Sequence, residues 1–166
     1  YGQLQEKADR TRLQERMRTL LNWGNKYGWD RAYGGIYNTL SPIGEKLDSN
    51  KRIWPFTEGL KANAMMLDLT DDKAFLKRRT DQMISIFRKH YMLPRGLWTE
   101  ILGRDLSPQT DYLPGTTPYH LYFGVMETLR YLKHRGKSKS IGAAVMGALY
   151  NIRRTASLLF KSIIKP

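Results

Sequence analysis

The first candidate for chemistry in this chain is a histidine placed where turn-forming residues give way to a helical pattern. In Pro114-Gly115-Thr116-Thr117-Pro118-Tyr119-His120 the loop ends as the apolar periodicity of residues 121–132 begins, so His120 falls in the first turn of a helix. An imidazole titrates near neutral pH and is suited to moving a proton there. A second pair lies upstream. Trp54 and Glu58 are four residues apart, hence on one face of a helix that holds Pro55 in its first turn. If these two helix starts meet, a carboxylate, an indole and an imidazole converge on one pocket floor. An aromatic face suits the CH face of a sugar ring, and a carboxylate accepts hydroxyl protons. The same residues also have a structural reading, with Glu58 capping its helix, Trp54 filling core and His120 buried with a satisfied partner. Spacing alone leaves both readings open.

The elements that must position these groups read as helix after helix. Residues 3–27 form a long helix with Leu4, Ala8, Met17, Leu20 and Leu21 as inner positions. Residues 28–52 form a loop in which 35–40 is one strand of a short hairpin. A helix follows from Pro55 to about Leu69. Thr70-Asp71-Asp72 caps another that runs to about Tyr91 and is stopped by Pro94 and Gly96. Residues 97–117 are a long loop, with 98–101 a candidate strand. A helix spans 118–135, 136–140 is a basic linker, and 141–164 is a last amphipathic helix. The helices at 55–69 and 121–132 are apolar most of the way round and are expected to be buried; those at 3–27 and 71–91 are charged on one face and are expected outside. The order outer, inner, outer, inner, with a long loop before each inner helix, suggests part of an α/α toroid with a pocket at the inner helix N-termini.

The bulk numbers bound the rest. A chain of 166 residues fits one compact unit, and the lack of cysteine removes disulfides and thiolate metal sites. No cluster of metal ligands stands out, so neither a metal nor another cofactor is expected. The net charge is +13, yet nine of the 28 basic residues and none of the 15 acidic ones follow Glu127. The basicity therefore belongs mainly to the tail, and an acidic partner is implied there. The longest apolar run, 141–150, is too short to cross a bilayer. The sequence begins at Tyr1 and not at methionine, so upstream sequence is expected.

Four blocks appear in order: Gly34-Gly35-Ile36-Tyr37, Trp54-Pro55-Phe56-Thr57-Glu58-Gly59-Leu60-Lys61-Ala62, Leu97-Trp98-Thr99-Glu100 and Thr117-Pro118-Tyr119-His120-Leu121. Together they resemble the C-terminal part of the N-acylglucosamine 2-epimerase family, whose superfamily includes cellobiose 2-epimerases and mannose-type aldose–ketose isomerases. The resemblance covers roughly residues 3–135 and implies an all-α fold, the C-terminal part of an (α/α)6 barrel with a short β-hairpin in a loop. It implies proton abstraction at C2 of a ring-opened sugar, with return to C2 in an epimerase or to C1 in an isomerase. Such enzymes use two histidines and no metal. His120 matches the second histidine; the first, and a pocket arginine, would lie upstream of Tyr1, so this fragment alone is expected to be inactive. Glu58 matches a carboxylate that orients that histidine and the sugar, and Trp54 a pocket aromatic. Tyr119, and Trp98 with Glu100 at the pocket rim, complete the candidate substrate-binding set. His90 and His134 are expected on the surface.

Residues 1–135 are thus expected to be the barrel portion and 136–166 a basic amphipathic tail, either a closing outer helix or a helix that docks on an anionic membrane surface or a membrane protein. The expected ligand is a mono- or disaccharide, with acylated and phosphorylated sugars open. Nucleic acid finds no support beyond charge. The expected location is cytoplasmic, with the inner membrane face as a docking place. The alternative function is a non-catalytic saccharide-binding or scaffold barrel in a membrane-associated polysaccharide-assembly complex. A glycoside hydrolase would need paired carboxylates, Glu58 with Glu100 or Asp111, and fits the histidine block poorly.

Overall fold

The computed structural model describes residues 7–67 and 69–134. Four helices carry the fold: α1 (Lys7–Tyr27), α2 (Ile53–Met66), α3 (Lys73–Ile86) and α4 (Thr117–His134). Two two-stranded antiparallel sheets lie in the loops, β1 (Thr39–Leu40) with β2 (Lys46–Asp48), and β3 (Lys51–Arg52) with β4 (Ile101–Leu102). The hairpin strand expected at 35–40 is confined to its last two residues. The strand expected at 98–101 pairs only from Ile101, and its partner is the end of the segment read as loop. Asp72 caps α3, accepting from the Phe75 amide, and α3 runs on through a π-helical turn, Phe87–Tyr91, that contains His90. The linker at 136–140 and the helix at 141–164 lie outside the described residues. No described helix is long and apolar enough to cross a membrane.

α2 and α4 lie against each other, with α3 outside α2. The core is built from Ile53, Phe56 and Leu60 of α2, Met83 of α3, and Leu121 and Val125 of α4, closed by Tyr91, Trp98 and Leu102. The two central helices come into backbone contact at Gly124. A Cβ there would stand 2.8 Å from the Thr57 Cβ and 3.0 Å from the Thr57 carbonyl oxygen. Gly124→Ala must therefore push α4 off α2. Its expected effect is a loss of about 1–3 kcal/mol, read by urea denaturation; a stability equal to wild type would show that the contact can relax.

The expectation that both central helices are apolar all round and wholly buried is corrected. Tyr122 and Phe123 of α4 are about half exposed, and Met126 and Met65 are exposed too, because no described element covers that side. Leu20, expected as an inner position of α1, is 71% exposed. With Met17 and Leu21 it lines an apolar groove of about 550 Å³ between α1 and α2 that is open to solvent.

A buried charge cluster, not anticipated from the sequence, fastens the loops to this frame. Lys51 is fully buried and Asp30 is 1% exposed; the Lys51 ammonium donates to Asp30 Oδ2 at 3.1 Å and to the Arg104 carbonyl. Arg104 Nε reaches the same carboxylate oxygen at 3.2 Å. Burial alone would raise the Asp30 carboxyl, but the amides of Ala32 and Tyr33 and the Lys51 ammonium outweigh it and hold it at about 2. The turn that presents Asp30 closes through Gly35, whose φ of +86° suits glycine and whose missing side chain leaves room for the Lys51 stem. Tyr91, under the core, donates to the Lys51 carbonyl. The result is a rigid anchor for β3 at the threshold of α2.

Candidate active site

The β3–β4 pair sets both central helices at one end. β3 runs straight into α2, and the Ile53 amide donates to the Glu100 carbonyl at 3.0 Å. Pro55 is the third residue of α2, where its missing N–H leaves no intrahelical bond unmade. Glu100 then ties in the other helix. Its buried Oε2 accepts from Thr117 Oγ1 at 2.9 Å, at the first residue of α4, and from the Trp98 indole at 3.2 Å. His120 follows Thr117 by three residues, so this clasp fixes the turn that carries the imidazole.

The structure brings His120, Glu58 and Trp54 together. His120 Nδ1 lies 2.8 Å from Glu58 Oε1, and the Trp54 ring centroid is 5.3 Å from that of the imidazole. Glu58 Oε2 is taken by Lys61, one turn on, at 2.5 Å. Burial pushes the Glu58 carboxyl up, but the His120 and Lys61 contacts more than offset this and hold it below the ordinary glutamate value. An ionised carboxylate offers only lone pairs, so the facing Nδ1 must carry the proton. The free base nitrogen of a neutral imidazole is then Nε2. This is the relation by which a carboxylate fixes the tautomer of an acid–base histidine.

His120 and Trp54 line a pocket of about 270 Å³ together with Arg52, Glu100, Thr116 and Thr117. Its size is just below the usual range for small-molecule sites, which limits it to a small ligand. Glu58 itself is not on this wall. It stands behind the imidazole, toward the α1–α2 groove, so the geometry supports orienting the histidine and not a direct hold on the sugar. Tyr119 stacks on the imidazole, 3.8 Å between centroids, and is otherwise exposed. Trp98 does not form the rim: it is 3% exposed, packed in the core, and acts on the pocket only through Glu100. Glu100 is on the wall, but deep in it. Lys61 and Arg52 were missed. The spacing of Glu58 and Lys61 on one helix face was a signal for the first; nothing marked the second, a basic residue in what reads as a polar loop. Among the described residues no group of three metal-ligating side chains occurs.

Comparison with known proteins bears on the fold and the family. Among solved structures, a D-mannose isomerase superposes with a TM-score of 0.62 at 22% identity, covering 68% of this chain and 29% of its own. Cellobiose 2-epimerase from Spirochaeta thermophila gives 0.63 at 13% identity, covering 79% and 33%. A sugar epimerase from a ruminal bacterium gives 0.64 at 17%, covering 86% and 37%. The chain thus spans about a third of the length of the structures it matches, and α1–α4 are a portion of an (α/α)6 barrel. No curated protein sequence matches. The sequence profile of N-acylglucosamine 2-epimerase matches residues 2–124, most of the chain, and with the four ordered blocks and the histidine–carboxylate couple it establishes that the chain belongs to the N-acylglucosamine 2-epimerase family.

Proposed function

We propose that this chain supplies half of the proton-transfer machinery of a sugar 2-epimerase or aldose–ketose isomerase. The observation that carries the reading is the His120–Glu58 couple, 2.8 Å long, with its free nitrogen left to a small pocket beside Trp54. Nε2 of His120 takes the proton from C2 of the open-chain sugar while Glu58 stabilises the imidazolium that forms. The electron pair left at C2 moves toward the C1 carbonyl and gives an enediolate. Return of a proton to the opposite face of C2 gives the epimer, and return to C1 gives the ketose. The acid or base for the opposite face lies outside the described residues in this reading. Trp54 covers an apolar face of the sugar, and the clasp of Glu100 on Thr117 holds the helix turn in register.

The test is exchange. Full-length protein incubated with D-mannose or cellobiose in deuterated water should place deuterium at C2, read by proton NMR; sugars left unlabelled at C2 would remove the proposal. Glu58→Gln should slow exchange at least about tenfold, since the amide no longer demands the Nδ1–H tautomer. Glu58→Gln exchanging at the wild-type rate would contradict the assigned pairing. Residues 136–166, for which docking on an anionic membrane surface or a membrane protein is expected, lie outside the described residues.

A further inference from the structure

Arg52 is the one basic side chain on the pocket wall apart from His120. It is the last residue of β3, and its backbone pairs with Ile101, next to Glu100. It precedes α2 directly, yet its side chain makes no capping bond. Among the described residues its guanidinium forms no ion pair or hydrogen bond, and its Nε is sealed from water without a partner. That is unlike Arg79, which also leaves Nε unpaired but lays its guanidinium 3.9 Å from the Trp29 ring centroid and donates to Asn25. It is unlike Arg104 as well, which pairs with Asp30. An unpaired buried donor is destabilising unless something supplies an acceptor, so such a group calls for an explanation. Here the open neighbour of the guanidinium is the pocket.

The same wall holds the complement. Both hydrogen bonds to Glu100 fall on Oε2, which leaves Oε1 as an acceptor for a ligand. A guanidinium that donates beside a carboxylate that accepts matches adjacent hydroxyls of a sugar, each of which can do both. The charges also select. The Arg52 cation and the Glu100 carboxylate share the pocket wall, and Lys61 is spent on Glu58. A phosphate or carboxylate would meet about as much negative as positive charge, whereas hydroxyls would meet fixed dipoles of both kinds.

We infer that Arg52 is a substrate-binding residue which, together with Glu100, holds neighbouring hydroxyls of an uncharged sugar beside His120. This rests on the epimerase or isomerase reading for its sugar, and a direct binding measurement separates the two. In calorimetric titration of the full-length protein with D-mannose and with D-mannose 6-phosphate, Arg52→Met should weaken D-mannose at least about tenfold. Arg52→Lys, which keeps charge and one donor head, should weaken it less. Neither variant should melt below wild type, since Met removes an unpaired donor, so loss of affinity with an unchanged melting temperature separates ligand contact from folding. Arg52→Met binding D-mannose as wild type does would overturn the role while leaving the reaction intact. Tenfold tighter binding of the phosphate than of D-mannose would overturn the uncharged class. Wild type that binds D-mannose without C2 exchange would keep Arg52 and remove the reaction; wild type that binds neither D-mannose nor cellobiose would remove both.

Discussion

His120→Gln removes C2 exchange from the full-length protein, by about 10²–10⁴-fold, the range a positioned general base contributes. Glutamine is the informative replacement. Its amide can still donate to Glu58, which preserves the packing at the α2–α4 contact, but it has no basic nitrogen to present to the sugar. Affinity for D-mannose should change only a few-fold, because the pocket keeps Arg52, Trp54 and Glu100. The result is thus a fall in rate with binding retained. Substantial exchange surviving in His120→Gln would mean that another group abstracts the proton and that the couple is structural.

Asp30→Asn is expected to have the largest effect on stability. The change is nearly isosteric, yet it leaves the ammonium of Lys51 buried without a carboxylate, and breaking a buried pair on one side costs about 3–5 kcal/mol. Urea denaturation of wild type and variant measures it. The double variant Asp30→Asn/Lys51→Met should recover part of the loss, because removing both partners leaves no orphaned charge. The acid behaviour follows from the same carboxyl. Its folded-state pKa is lowered from 3.8 to about 2, so its contribution is complete above about pH 4 and disappears as pH falls toward 2. The gap in melting temperature between wild type and Asp30→Asn should therefore close over that window. A variant that melts with wild type at pH 7 would show that the cluster does not hold the loops.

The contrast between these two residues shows what could be read in advance. His120 and Glu58 were legible because each sits in the first turns of a strongly patterned helix, where one residue step fixes direction. The alternation of charged and apolar helices gave the layer order for the same reason. Asp30 and Lys51 are 21 residues apart on loop and two-residue strand, and neither position carries a periodicity. β3 escaped, and β4 was placed only by its first residue, because strands so short have no alternation to detect. Trp98 was misplaced because an aromatic in a long loop looks available for a ligand, whereas its indole finds Glu100 and its ring fills the core. The exposed side of α4 went the other way, since an apolar surface says that cover is wanted but not that the described chain provides it. Arg52 looked like solvated loop, and only the absence of a partner around its guanidinium marks it.

Thr57 immediately precedes Glu58, and Gly124 lies one turn beyond His120, so the point where α2 and α4 touch is adjacent to both members of the couple. Their spacing is therefore dictated by a main-chain bumper between two rods and not by the groups that meet the ligand. Mutation can redecorate the hollow freely while the reach from imidazole to carboxylate stays constant. The position that would have to change before that reach does is a residue with no side chain at all.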